Sequence, residues 1–161
     1  MGPSSPLSAV SPVLAPLIPT RLWQRQAQLP AVRHHEAVIE TGQLHKMAEG
    51  VLLLRLPLPF ALNHINVYLL DAAAGWTIVD CGLDTPEARQ IWQAVLASPQ
   101  LGGRPVRQIV VTHHHPDHVG LAGWLAAVCD APLCMTAGEH AVVARYADAR
   151  RDAVAERMAL W

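Results

Sequence analysis

A short segment of the chain combines residue types and spacing that suit a metal ion. Residues 112–118 read Thr-His-His-His-Pro-Asp-His and hold four of the nine histidines in the chain. Side chains two positions apart on extended backbone point to the same side, so His113 and His115 can grip one ion together while His114 points away. Imidazole and carboxylate groups suit zinc, and also iron or manganese. The segment therefore predicts a metal site.

The end of this segment can supply a second pair of ligands. Pro116 stops the extended backbone and turns the chain, and Asp117 and His118 follow side by side. From the turn they can approach a second ion from the other side. A solvated histidine loop or an adventitious chelator is the alternative interpretation. The spacing and the strand-to-helix context favour a functional site.

Apolar runs predict the strands that position this segment. Strands are expected over residues 51–56, 66–70, 76–80 and 106–112, with a hairpin joining the second and third. The last of them contains Ile-Val-Val, which is typical of a buried strand. The histidine segment follows at its carboxyl end, where open α/β sheets favour ligand sites.

Three helices are expected around these strands. Residues 84–87 read Asp-Thr-Pro-Glu, a helix-start signature with an Asx cap, and apolar residues follow at helical spacing. A second helix is expected from near His118 to about Cys129. After a short strand over 132–136, Thr136 and Glu139 offer a capping box for a last helix that continues to Trp161. This order of elements predicts a layered α/β fold.

Composition limits the class of protein. The chain has 161 residues, with 12 Lys plus Arg against 13 Asp plus Glu. That near-neutral balance argues against nucleic-acid binding, which needs a clustered positive excess. No apolar run reaches the roughly 18 residues of a membrane span, so no membrane partner is expected. Three cysteines without framework spacing predict reduced thiols and a cytoplasmic location.

The first 30 residues differ from the rest of the chain. They hold six of the thirteen prolines, whose spacing rules out a continuous helix. We interpret residues 1–30 as a disordered leader or an over-extended gene start. Residues 31–161 are assigned to one domain.

Several motifs together carry a resemblance to a known family. His113-x-His115-x-Asp117-His118 resembles the signature of the metallo-β-lactamase fold superfamily. Residues 66–69 (Asn-Val-Tyr-Leu) resemble its early Asn-x-Tyr strand, and residues 79–82 (Val-Asp-Cys-Gly) resemble its Val-Asp-Thr-Gly turn with cysteine replacing threonine. Residues 118–123 resemble the glycine-containing continuation. The resemblance runs from about residue 50 to about residue 140.

This resemblance implies a fold and residue roles. The fold is α/β, the N-terminal half of an αββα sandwich with a mixed sheet and flanking helices. His113 and His115 are implied as ligands of the first metal ion, and Asp117 and His118 as ligands of the second, with zinc expected; Asp117 is also the catalytic candidate. Asp80 is implied to orient the site through hydrogen bonds. Hydroxide held between the ions is implied to attack a carbonyl or phosphoryl centre of a small molecule.

The family places further ligands well downstream of this signature. The only histidine after His118 is His140, which falls in the expected last helix and is interpreted as a non-ligand. Two ligands for each ion are fewer than the three or four of zinc sites. We therefore interpret the chain as truncated. Its uncovered sheet face predicts self-association or a partner chain.

Three functional hypotheses follow. The first is a metal-dependent hydrolase that is impaired by truncation. The Asp117 pattern resembles the thioesterase, lactonase and phosphodiesterase branches of the superfamily. Among their reactions, glyoxalase-II-like thioester hydrolysis is the first expectation. The second is a catalytically silent half-domain that binds metal or requires a partner. The third, a histidine cluster on an unrelated α/β protein, is disfavoured by the accompanying motifs. Catalysis by Cys81 is not expected, because no histidine adjoins it in the sequence.

Overall fold

The computed structural model describes residues 38–158, and the side chains of residues 38–148. The strands are Leu44–Ala48 (β1), Val51–Pro57 (β2), His64–Ala72 (β3), Gly75–Val79 (β4), Val106–Val110 (β5) and Leu133–Cys134 (β6). The helices are Pro86–Leu96 (α1), Pro116–Val119 (α2), Ala122–Cys129 (α3) and Ala137–Met158 (α4). The predicted leader over 1–30 and the expected helix end at Trp161 lie outside the described residues.

The six strands form one mixed sheet in the order β1-β2-β3-β4-β5-β6. The first four strands pair antiparallel, and β3 and β4 form the predicted hairpin. Strands β5 and β6 add in parallel to β4. Parallel pairing places the carboxyl ends of β4 and β5 at the same sheet edge. The predicted α/β fold class, a mixed sheet with flanking helices, is confirmed.

One face of the sheet packs against helices. Leu69, Ile78 and Ile109 lie side by side across β3, β4 and β5 and are fully buried. Trp92 of α1 and Leu125 of α3 belong to the same core. This apolar layer fixes the strands whose ends carry the histidine segment. None of the helices within residues 38–158 is long and apolar enough to cross a membrane.

The opposite face is only partly covered. Tyr68 and Leu70 of β3 are 37% and 36% exposed, whereas Leu53, which pairs with Tyr68 from β2, is buried. Large apolar side chains at such a face favour association. Self-association through this face stays a prediction.

Three local features differ from the sequence expectation. Thr85, not Asp84, caps α1, because its side chain accepts a hydrogen bond from the Ala88 N–H. Asp84 instead accepts two hydrogen bonds from Arg89. The edge strand β1 was not expected, since its mixed sequence Leu-His-Lys-Met-Ala lacks a clear apolar alternation. The last strand, β6, is shorter than the expected range of 132–136.

The single helix expected from His118 to Cys129 is wrong, because the structure has two helices there. The Cys81 N–H donates to the His118 carbonyl (2.9 Å), and the Leu121 N–H donates to the Gly82 carbonyl (3.1 Å). These bonds to the loop after β4 replace bonds of a continuous helical ladder. Gly120 lies at the junction, where its backbone approaches that loop closely. A tertiary contact therefore sets this helix boundary.

Replacing Gly120 with alanine should destabilise the fold. The added Cβ would lie 2.4 Å from the Pro116 carbonyl oxygen and 2.8 Å from the Asp84 nitrogen. We expect a loss of about 1–3 kcal/mol in the free energy of unfolding, measured by urea denaturation. Gly123→Ala is the matched control, because nothing lies within 4 Å of its added Cβ. Equal stabilities for the two variants would contradict the close packing at Gly120.

Candidate metal centre

The histidine segment extends from the carboxyl edge of the sheet. Strand β5 ends at Val110, and His115 is the N-cap residue of α2, with φ −61° and ψ 142°. Pro116 is the first residue of that helix, a position that suits its fixed φ and its missing N–H. The neighbouring strand β4 delivers Asp80 to the same edge, where its N–H donates to the Val110 carbonyl (2.8 Å).

His113 and His115 lie together at this edge. Nε2 of His113 is 3.1 Å from Nδ1 of His115. Two nitrogens bound to one tetrahedral zinc ion at about 2.0–2.1 Å are about 3.3–3.4 Å apart. The spacing of this pair therefore suits a shared divalent ion.

Asp117 and His118 form a second pair beside the first. Nε2 of His118 is 3.6 Å from Oδ2 of Asp117. The ring centroids of His113 and His118 are 3.9 Å apart. The two pairs are therefore adjacent, so one loop brings all four predicted ligands into one cluster.

Asp80 links this cluster to the sheet. Its side chain is buried, and its backbone has a left-handed φ of 63°. Oδ1 accepts the Thr112 backbone N–H (2.8 Å), and Oδ2 accepts Nδ1–H of His118 (2.8 Å). With its proton on Nδ1, a neutral His118 presents a lone pair on Nε2. The expected orienting role of Asp80 has a clear geometric basis in these contacts.

Thr112 extends this orientation to His113, a role that the sequence analysis missed. The Thr112 hydroxyl lies 3.0 Å and 2.9 Å from the two Asp80 oxygens and donates its proton to them. It can then accept Nδ1–H of His113, at 3.0 Å. Nε2 of His113 is left with the lone pair that faces His115. The only sequence signal was the position of Thr112, directly before the first histidine.

The electrostatics of the cluster favour neutral histidine at position 113. Partial burial lowers the pKa of His113, and positive charge on His118 and His115 lowers it further. The carboxylates of Asp80 and Asp117 act in the opposite direction. Neutral imidazole is the form that binds metal ions. The environment of His113 therefore matches the chemistry of a ligand.

The third consecutive histidine is held elsewhere. Glu139 of α4 accepts hydrogen bonds from the His114 backbone N–H (2.8 Å) and from its ring Nδ1 (2.6 Å). The hydrogen bonds from the His114 ring and backbone lower the pKa of Glu139, which favours its ionised form. The sequence predicts only a capping-box role for Glu139, because no sequence signal links residues 25 positions apart. His114 thus lies beside the cluster with its ring bonded away from the His113–His115 pair.

The cluster fits a divalent ion in donor type and in the spacing of its first pair, but its donors are few. Among the described residues, no group of three or more His, Cys, Asp or Glu side chains is arranged to hold one metal ion. His140 is exposed in the first turn of α4. The described part of the chain therefore offers two donor pairs and not a closed ligand set.

Comparison with known proteins identifies the family. The sequence profile of the metallo-beta-lactamase superfamily matches residues 61–154, which include the whole cluster. The chain belongs to this superfamily.

Individual relatives match only part of their own length. The probable metallo-hydrolase YqjP of Bacillus subtilis (strain 168) is 41% identical over 73 residues, which cover 45% of this chain and 23% of YqjP. A beta-lactamase domain protein from Burkholderia ambifaria is 42% identical with a TM-score of 0.63, covering 68% of this chain and 36% of its own. The metallo-beta-lactamase FIM-1 from Pseudomonas aeruginosa, solved in a mono-zinc form, shares the fold at 19% identity and a TM-score of 0.53, covering 64% and 45%. The chain thus spans less than half the length of each relative.

Replacing Asp80 with asparagine should change the tautomer of His118. Asparagine tolerates a positive φ, but an amide N–H₂ that faces His118 cannot accept its Nδ1–H. The ring proton should then move to Nε2 and block the lone pair there, a change visible in the ¹⁵N NMR shifts of the ring. Such a loss of an orienting partner costs about 10–100-fold in metal affinity.

The matched control for this variant is Asp130→Asn. Asp130 also has a positive φ, 48°, and caps the C-terminus of α3. The control should leave the His118 tautomer unchanged. An Asp80→Asn variant whose His118 proton stays on Nδ1 would contradict the orienting role of Asp80.

Cys81 should resist alkylation in the folded chain. Burial, and to a smaller extent the charge of Asp80, raises the pKa of its thiol to about 12. The reactive thiolate is therefore scarce at pH 8, and iodoacetamide should modify Cys81 at least about tenfold more slowly than the partly exposed Cys134. Mass spectrometry of the alkylated peptides measures both rates. Fast modification of Cys81 in the native chain would reopen the thiol-nucleophile hypothesis.

Proposed function

We propose that this chain supplies ligands and orienting residues to the active centre of a metal-dependent hydrolase. The observation that carries the proposal is the pair of facing nitrogens, His113 Nε2 and His115 Nδ1, 3.1 Å apart. The contacts from Asp80 through Thr112 to His113 support it, because they leave the lone pair of His113 Nε2 free to bind a metal. Superfamily membership and the 41% identical probable metallo-hydrolase agree with it.

We assign His113 and His115 to one ion, and Asp117 and His118 to a second, adjacent ion. Zinc is the proposed metal, since imidazole and carboxylate ligands at this spacing suit it; iron or manganese would use the same donors. A bound divalent ion supplies Lewis acidity, which lowers the pKa of water and stabilises negative charge that develops on oxygen.

The residues of the chain orient the reaction around this chemistry. Asp80 fixes the ring of His118 through a hydrogen bond to Nδ1. The Asp117 carboxylate, 3.6 Å from His118 Nε2, is assigned the catalytic role of accepting a hydrogen bond from the attacking water and so aiming it. The buried Cys81 thiol is assigned no part in the chemistry, because its raised pKa keeps it protonated.

We propose a small-molecule thioester, ester or lactone as the substrate, with glyoxalase-II-like thioester hydrolysis first. The Asp117-His118 pattern supports these branches of the superfamily. The net charge of −1 supports a small molecule over nucleic acid or a membrane surface. The three free thiols support the cytoplasm as the compartment.

A catalytically silent chain that binds metal without turnover is the second candidate function. It is favoured by one observation, namely that no three donor side chains among residues 38–148, the part whose side chains are described, form a group that could hold one ion. Catalytic zinc sites use about three protein ligands. Two donors for each ion predict weak binding and a poorly oriented water, with reliance on a second chain or a second copy.

Replacing both His113 and His115 with alanine should remove the zinc ion assigned to this pair and so lower zinc uptake by the 161-residue chain. Isothermal titration calorimetry with zinc measures the uptake, and light scattering of the same samples reports self-association. The control is the double variant His45→Ala with His140→Ala, which removes two histidines outside the 113–118 loop and should bind zinc like the parent. Unchanged uptake in the His113/His115 variant would disprove the site assignment.

Turnover separates the two candidate functions. Zinc-loaded chain is assayed against thioester, ester and lactone substrates. Hydrolysis that disappears in the His113/His115 variant supports the hydrolase, while zinc uptake without hydrolysis supports the silent metal-binding chain.

A further inference from the structure

One contact outside the proposed ligand set joins the loop of residues 111–115 to the last helix, α4. We call this loop, which carries His113 and His115, the metal-binding loop. Oε2 of Glu139, in the first turn of α4, accepts both the backbone N–H and the ring Nδ1–H of His114. The two residues are 25 positions apart, and their side chains are about equally shielded, at 29% and 30% exposed. The contact therefore ties an irregular loop to a regular element.

The carboxylate of Glu139 is used for this contact and not for the helix start alone. The Glu139 N–H donates to the Thr136 hydroxyl (3.3 Å), which is one half of a capping box. In the reciprocal half, the glutamate side chain reaches back to the N-cap backbone. Here Oε2 bonds to His114 instead. The carboxylate at the start of α4 therefore contacts the metal-binding loop and not the N-cap backbone.

Two backbone N–H groups of the loop donate to carboxylates from other parts of the fold. The Thr112 N–H donates to Asp80, and the His114 N–H donates to Glu139. These anchors lie on either side of His113. The two anchors therefore hold the backbone from which the side chains of His113 and His115 project.

The bond to the ring of His114 also determines which two of the three consecutive imidazoles face each other. A free His114 could pair with either neighbour, since its ring centroid is 4.9 Å from that of His115 and 6.3 Å from that of His113. Its Nδ1 is engaged by Glu139, which holds this ring away from the facing nitrogens. The ligand pair is therefore fixed as His113 with His115.

We propose that Glu139 is a positioning residue that sets the separation of the His113 and His115 nitrogens by holding the backbone and ring of His114. This inference rests on the proposed metal-binding function. It adds a residue from a distant helix, with no contact to the ion, as a determinant of metal affinity. Partners of this kind change metal affinity by about 10–100-fold when they are removed.

The test compares Glu139→Ala and Glu139→Gln with the parent chain of 161 residues. Alanine removes both bonds to His114, whereas glutamine keeps an acceptor oxygen for the backbone N–H and loses the charge. We expect zinc affinity to fall at least about tenfold in Glu139→Ala and less in Glu139→Gln. In the metal-free chain, amide hydrogen exchange at His114 should accelerate in the same order.

The matched controls are Glu87→Ala and Glu87→Gln. Glu87 lies in the first turn of α1 and also follows a threonine N-cap, so its removal reproduces the loss of a helix-start charge without touching the loop. These controls should keep the zinc affinity and the His114 exchange rate of the parent. Thermal unfolding of each variant confirms that the compared chains are folded.

The outcomes distinguish this proposal from the proposed function. Parent-like zinc affinity in Glu139→Ala, with the parent still binding zinc, overturns the positioning role and leaves the metal site intact. A parent chain that binds no zinc overturns the metal function; in that case faster His114 exchange in Glu139→Ala still supports the anchor, and unchanged exchange overturns it. A lower thermal stability with unchanged affinity marks a merely structural contact and also overturns the proposal.

Discussion

The geometry of the cluster depends on one buried carboxylate, that of Asp80. Burying a charged group is costly unless hydrogen bonds compensate for the lost water, and here Thr112 and His118 supply them. Both partners come from the segment after β5, Thr112 from the loop and His118 from α2, while Asp80 itself follows β4. Because β4 pairs in parallel with β5, the Asp80 carboxylate lies beside Thr112 and His118. It orients the ring of His118 directly and the ring of His113 through Thr112. A slip of one residue between these strands would turn Asp80 away from the loop.

The backbone around Asp80 holds the same loop from a second direction. The Cys81 N–H bonds to the His118 carbonyl, and the Cys81 carbonyl accepts the indole N–H of Trp92. Trp92 is fully buried in the core between sheet and helices. The backbone of Cys81 therefore links the packing of Trp92 in the core to the turn after β4 and to the break between α2 and α3. The short helix α2 ends where it does because the His118 carbonyl and the Leu121 N–H bond to this turn.

The sequence predicts the elements whose signals are local. The apolar run of β3, its hairpin to β4 and the turn at Pro116 each depend on residues within a few positions of one another, although α2 begins at Pro116 and not near His118 as expected. The side-by-side placement of His113 and His115 also follows from local geometry. Metal binding by the four cluster residues stays a prediction.

Contacts between distant segments could not be predicted in the same way. The break at Gly120 is set by bonds to the loop after β4, and the second role of Glu139 is set by His114. Strand β1 has too weak an alternation to stand out, and it exists because β2 offers an edge for pairing. For Gly120 and Glu139 the deciding partner lies outside any window that a local pattern covers, so the sequence showed only a glycine and a helix cap. The partner of β1 is the next strand along the chain, and only the weak alternation of β1 hides it.

All four proposed donors come from six consecutive residues, 113–118, which explains why orientation matters more here than number. A flexible His-x-His segment loses conformational entropy when it closes on an ion, and that loss weakens binding. In this chain, bonds to Asp80 and Thr112 fix His118 and His113 before any ion arrives. Each of these two rings therefore presents its Nε2 to its own proposed ion without a further loss of side-chain entropy. We expect the hydrogen bonds behind the ligands to raise the affinity of the proposed site above that of the same residues on a free loop, even with two donors for each ion.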